Sequence, residues 1–156
     1  MTKLKILVPM DGTEFSKAIF PKLNVIARSS ETEIILLHVE HVVTQSFGVA
    51  PGYLHIDFNS TVQEENMRHA VLAKMVPEAE SLEEMGYTVQ REVGFGEPAD
   101  QILFYADLAK VDLIAMATHG REGLSHFIQG SVAESVLHKA KVPVLMVRPE
   151  EIPVSE

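Results

Sequence analysis

Gly120, nine further residues, then Gly130 and Ser131 form the spacing in this sequence best suited to chemistry. The apolar run Leu113-Ile114-Ala115-Met116 leads into it and ends in Ala117, Thr118 and His119; helical spacing of Val132, Val136, Leu137 and Ala140 follows. The pattern reads as a strand, a glycine-hinged loop and a helix N-terminus. Such a junction gathers backbone N–H groups without helical partners, here those of Ser131, Val132 and Ala133, and points a helix dipole at them. Glycine at 120 and 130 allows close approach of a ligand to the backbone, and Ser131 adds a hydroxyl. The chemistry is that of a phosphate cradle.

A second candidate stands near the start. The apolar run 4–10 ends in Pro9 and Met10 and is followed by Asp11-Gly12-Thr13. An Asp at the carboxyl end of a strand is either a turn and helix-capping residue or a ligand contact. The equipment of a catalyst is missing from both stretches: the sequence has no Walker A lysine motif, no G-x-S-x-G elbow and no nucleophile with a base beside it. His38 and His41 are three apart, but no carboxylate or third histidine completes a metal-binding spacing with them, so no histidine metal site is expected. Gly94, Gly96 and Ala99 fit G-x-G-x-x-A. They fall in the third strand-helix unit, with Pro98 at the helix opening and no acidic residue after the next strand, so they read as a turn and helix start.

The elements that must position these residues follow from periodicity. Runs 4–10, 33–39 (EIILLHV), 113–117 and the stretch from Val142 (VPVLMVRP) are continuous apolar strands suited to a doubly covered parallel sheet, and 87–93 is a more alternating one. Helical spacing spans 14–30, 61–85 and 98–110. Pro21 predicts a kink or late start in the first of these, and Pro77 a kink in the second. Inward residues include Phe15, Ala18, Ile19, Leu23, Ile26 and Ala27 in the first helix, and Val62, Ala70, Val71, Met75, Ala79, Leu82 and Met85 in the second. Ile102, Leu103, Ala106 and Ala109 face inward in the third, and Gly86 caps the helix before it. The unpatterned stretch 40–60 reads as a surface excursion in preference to a lid. Alternating strands and helices give a three-layer doubly wound α/β fold with a five-stranded parallel sheet in the order 3-2-1-4-5. Strands one and four then adjoin at the switch point, and Asp11 and the turn at Ala117 to Gly120 face one crevice.

The whole chain bounds the partners. At 156 residues it is one α/β domain, 1–149, with a short acidic tail at 150–156. Its net charge of −9 and lack of a basic stripe exclude nucleic acid as the expected partner. A helix N-terminus supplies only about half an elementary charge, so a triphosphate on this acidic chain needs Arg121 and a divalent cation, Mg²⁺ or Mn²⁺. No cysteine is present, so there is no disulfide framework or thiolate metal site. The apolar run before Asp11 is too short for a signal peptide or a membrane span, and a cytoplasmic protein is expected.

With these residues in view, VPMDGTEFS near the start, LLHV in strand two and MATHGREGLSHFIQGSVAESVLHKAKVPVLMVRP resemble the nucleotide-binding branch of the universal stress protein family over essentially the whole chain. The branch motif is G-x-x-G, nine residues, then G-[ST]; Gly120, Gly130 and Ser131 match it, and Ala117 stands in place of the first glycine, near the ribose and phosphates, where so small a residue implies weakened or unchanged ATP binding more than its loss. The resemblance implies an adenine nucleotide α-hydrolase-like fold and binding of ATP or another adenine nucleotide. It implies that Val39 contacts adenine through its backbone and that Pro9 and Asp11 line the adenine and ribose end. Ala117, His119, Gly120 and Arg121 would follow the ribose and phosphates, and Gly130, Ser131 and Val132 would hold the phosphates. It further implies a homodimer through the last strand, from Val144 to Arg148, in agreement with the tendency of an apolar edge strand to pair. The expected role is regulation in a stress response through an unidentified protein partner, with little or no intrinsic hydrolysis. The alternatives are a metal-dependent ATP hydrolase of the α-hydrolase type and a structural dimer whose degenerate site is empty.

Overall fold

The computed structural model describes residues 2–41, 58–118 and 130–149. Five strands, β1 (Leu4–Met10), β2 (Thr32–Glu40), β3 (Thr88–Phe95), β4 (Leu113–Ala117) and β5 (Val144–Val147), form one parallel sheet in the order β3-β2-β1-β4-β5. The helices are α1 (Phe20–Ile26), α2 (Phe58–Lys74), α3 (Val76–Glu84), α4 (Pro98–Ala109) and α5 (Gly130–Lys139). Among the described residues no helix is long and apolar enough to cross a membrane.

The continuous apolar runs are explained by burial on both faces, since successive side chains of a strand point to opposite sides. Ile6, Val8 and Met10 of β1 and Ile34 and Leu36 of β2 meet Leu23 of α1 and Leu82 of α3 on one face. Leu7, Ile35, Leu37 and Val39 meet Ile102 of α4 and Val136 of α5 on the other. Two cores therefore share one sheet, and β1 at its centre is apolar throughout its buried stretch from Ile6 to Met10.

Prolines divide the helices more sharply than the sequence pattern predicts. The single helix expected over 14–30 is a 3-10 turn at Glu14–Ile19 followed by α1, with Pro21 in the first turn of α1. The helix expected over 61–85 is two, α2 and α3, with Pro77 in the first turn of α3. In both cases the missing N–H falls where a helix has no partner for it. Lys17 Nζ reaches Glu14 at 2.8 Å and Glu78 of α3 at 3.5 Å, tying the 3-10 turn to that helix. The hydrogen bond to Glu14 holds the Lys17 ammonium above the ordinary lysine range.

Some residues expected inward are exposed, because only part of each helix lies over the sheet. Ile26 ends α1 and is 42% exposed, Leu137 on α5 is 53% exposed, and Val62 and Ala70 stand out on α2, whose burial is established only at Val71. On α4, Ile102 and Ala106 are buried and Leu103 and Ala109 partly buried, as the spacing predicts. Phe15 lies within the 3-10 turn, and its side chain falls outside the described set.

Gly86 closes the α3 end. Its N–H donates to Glu83 O at 2.9 Å and that of Tyr87 to Leu82 O at 3.2 Å, and its φ is +96°. A Cβ added there would stand 2.9 Å from Ser29 Oγ. Gly86→Ala is expected to cost about 1–2 kcal/mol through left-handed strain, read as a lower urea midpoint; an unchanged midpoint would mean this turn relaxes freely.

Candidate functional site

The carboxyl ends of β1 and β4 adjoin, with Leu7 in register with Ile114, and this is the switch point of the sheet. A shallow recess open to solvent lies there. Pro9 and Asp11 from the end of β1, Val39 from the end of β2 and Val132 from the first turns of α5 all line it. These four residues come from three separate stretches of sequence, and all four are among the expected ligand contacts. Met10, Pro98, Ile102 and Met116 complete the lining.

Asp11 is held by its own turn. Its Oδ1 accepts the Thr13 N–H at 2.8 Å and the Thr13 hydroxyl at 2.6 Å, which orients the carboxylate at the mouth of β1. Thr13 occupies the position before the 3-10 turn and makes no side-chain cap, so it is Asp11 that organises the junction. Ser16, buried beneath it, donates its hydroxyl to Thr13 O at 2.7 Å and fixes the turn from the other side.

Met116 and Ala117 are separated by the pleat. Ala117 is 2% exposed and in register with Val147, and the Thr118 N–H continues the ladder to Val147 O at 2.8 Å. Met116 belongs to the recess face, so Ala117 turns its methyl group to the opposite one, that of Ala115. By this alternation the β4 side chain that lines the recess is Met116.

Gly130 is the first residue of α5, Ser131 is exposed beside it, and Val132 is half-buried against the recess. The helix thus begins at the crevice, with its first-turn amides near the apolar slot. His119, Gly120 and Arg121 lie outside the described residues, as do most of the 40–60 stretch and the acidic tail 150–156.

The two histidines considered for metal binding pair with carboxylates instead. His38 Nε2 lies 3.0 Å from Glu40 Oε1, and His41 Nε2 lies 3.3 Å from Glu97 Oε1. Among the described residues, no three His, Asp or Glu side chains gather in a way that could hold a metal ion.

The G-x-G-x-x-A stretch also finds its place. Gly94 and Phe95 belong to β3, not to the turn expected there, and Pro98 opens α4. A Cβ on Gly94 would sit 3.0 Å from Gln101 Oε1 and 3.2 Å from Tyr105 Cε2, so this glycine serves the close approach of α4 to β3. A second shallow recess lies between the C-terminal ends of α4 and α5, lined by Leu103, Ile114, Lys139 and Val142 among others. It gathers none of the expected site residues and lies near the amino ends of β4 and β5.

Met10, Pro98, Ile102 and Met116 are the site residues that motif spacing missed. Met116 was within reach of it, since pleat alternation from Ile114 puts it on the face of α4 and α5. Pro98 and Ile102 depend on which helix crosses the switch point, and no local pattern carries that.

The fold and crevice together define a doubly wound α/β protein with a ligand recess at its switch point, an apolar slot flanked by one carboxylate and one helix N-terminus. The chain belongs to the universal stress protein family, whose sequence profile matches residues 4–148. Universal stress protein MJ0531 of Methanocaldococcus jannaschii is 33% identical over 144 residues, 92% of this chain and 81% of that protein. The solved structure of MJ0577 from the same organism superposes with a TM-score of 0.70 at 27% identity, covering 97% of this chain and 100% of that one. The same fold occurs in a universal stress protein in complex with cAMP, with TM-score 0.62, 19% identity and coverage of 96% and 100%. It occurs again in a family member from Arabidopsis thaliana with AMP bound, with TM-score 0.60, 20% identity and coverage of 95% and 93%.

Proposed function

We propose that this chain is an adenine-nucleotide-binding universal stress protein that takes ATP with Mg²⁺ or Mn²⁺, acts as a regulatory homodimer in the cytoplasm, and works through a protein partner. One observation carries the reading: Pro9, Asp11, Val39 and Val132 converge on a single recess at the switch point. AMP and cAMP in two proteins of the same fold support an adenine nucleotide as the class of ligand.

The residues suit such a group. The slot between Pro9, Val39, Ile102 and Met116 is apolar and shaped by β-sheet and helix, as a flat base requires. The strand end at Val39 offers backbone groups to the edge of the base, and the Asp11 carboxylate offers an acceptor to ribose hydroxyls. The amides of Ser131, Val132 and Ala133 and the Ser131 hydroxyl are donors for phosphate oxygens, aided by the dipole of α5. His119, Gly120 and Arg121 would extend this row. A divalent cation would arrive on the phosphates and offset their charge on a protein of net charge −9. Among the described residues of the site no side chain is set as a nucleophile beside a base, and little or no hydrolysis is expected.

The dimer reading rests on β5. The N–H of Ile114 donates to Pro143 O and that of Thr118 to Val147 O, so residues 143, 145 and 147 face β4 while Val144 and Met146 direct their backbone groups away from it. A two-fold axis at this edge would pair two β5 strands antiparallel.

The test is to denature the purified protein, look for released nucleotide, and titrate the nucleotide-free chain with Mg-ATP by calorimetry. ATP binding is expected, with Asp11→Ala weakening it about 10- to 100-fold, the scale of a hydrogen bond to a charged group. Absence of binding by ATP, ADP and AMP at millimolar concentration would refute the reading.

A further inference from the structure

The two edges of the sheet differ in how they are finished. At β3 the Gly96 N–H donates to Glu40 O at 3.0 Å, so residues 90, 92, 94 and 96 face β2, and Val89, Arg91, Val93 and Phe95 turn their backbone groups outward. The outward Val93 carbonyl is taken by two side chains from opposite faces of the sheet. Arg68 of α2 donates Nη1–H to it at 2.6 Å, and Tyr105 of α4 donates its hydroxyl at 2.9 Å. The Arg68 guanidinium also lies 4.9 Å from the centre of the Phe95 ring, covering the next outward residue, and its Nη2 is 3.6 Å from Glu64. Arg91 fastens the same edge to α2 through Leu72 O.

An edge strand is a template for another strand, and natural sheets close it by placing charged side chains or helices across it. We infer that the β3 edge is a second surface able to pair with another copy of this chain, held shut by the Arg68–Val93–Tyr105 clamp, and that the clamp is what stops assembly through β5 at two copies. This rests on the β5 homodimer reading for the number two. Pairing at one edge closes a two-fold dimer, whereas pairing at both edges would propagate chain after chain.

The experiment measures mass by size exclusion with light scattering across a concentration series, for the wild type and for Arg68→Ala/Tyr105→Phe, each also in a Met146→Pro background that blocks β5. The wild type is expected at two chains and the clamp variant at four or more, rising with concentration. In the proline background the expected change is from one chain to two. Clamp variants that are folded by circular dichroism and keep the mass of their parent in both backgrounds would overturn the inference. A wild type of one chain would refute the β5 reading, while the comparison of clamp variant with parent still decides the clamp. If the double variant does not fold, Tyr105→Phe and Arg68→Gln decide by the same measurement, because each removes donors without emptying the site.

Discussion

Gly130→Val is expected to abolish ATP binding, by a hundredfold or more, while the protein keeps its circular dichroism spectrum. Gly130 opens α5, directly before the amides of Ser131, Val132 and Ala133. A phosphate can meet those donors only if it comes against the backbone, and two methyl groups at the helix opening stand in that path. Losing several charge-assisted hydrogen bonds, each about 1.5–3 kcal/mol, accounts for the size of the effect. The fold should persist, because valine at the end of a helix costs less than about 1 kcal/mol. Calorimetry checks the affinity. Unchanged binding would mean that the phosphates lie away from α5, and the position of the nucleotide would have to be sought from the Asp11 side alone.

Met146→Pro is expected to convert the dimer to single chains. Residue 146 sits in β5 with its N–H directed away from β4, so proline removes a donor only from the outer edge and sets its ring across that edge. The bonds from Ile114 and Thr118 to Pro143 and Val147 do not involve it. Met146 is half-buried against the α4–α5 face, and the lost packing should cost about 1–3 kcal/mol of chain stability. Met146→Leu, which keeps the N–H and most of the volume, should remain dimeric. Light scattering at matched concentration distinguishes the two, and a proline variant that stays at two chains would move the interface to another surface.

The Ala117 position shows how the pleat alters a reading made from spacing alone. Counting residues along the motif puts a methyl group where the first glycine stands and suggests a crowded ligand. In the sheet the same residue is one step past Met116, which lines the recess, so the pleat directs its methyl to the other face. What spacing treats as a contact is a matter of strand parity, and parity is fixed only when a partner strand sets the register. The helix boundaries carry a related lesson. Pro21 and Pro77 each announced an interruption, but whether it would be a kink or a new helix depended on what the preceding residues could pack against. Gly94 likewise matched a phosphate-loop pattern, and its place in β3 beneath Gln101 and Tyr105 gives it a packing role instead.

The sequence by itself determined the strands, their order and the crevice. Runs such as Ile6–Met10, apolar at every position, are stable only as strands covered on both faces, and right-handed crossovers then leave few ways to arrange five of them. It also led to the expectation of a crevice that binds, since its motifs place no nucleophile with a base beside it. The tertiary structure alone decided what completes the slot, Met10, Pro98, Ile102 and Met116, because these are joined by the crossing of α4 over the switch point and not by any spacing. It alone decided, too, that among the described residues the β3 edge is clamped by side chains from both faces and the β5 edge is not. Arg68, Val93 and Tyr105 are 25 and 12 residues apart in sequence, and only the folded sheet brings two donors to one carbonyl.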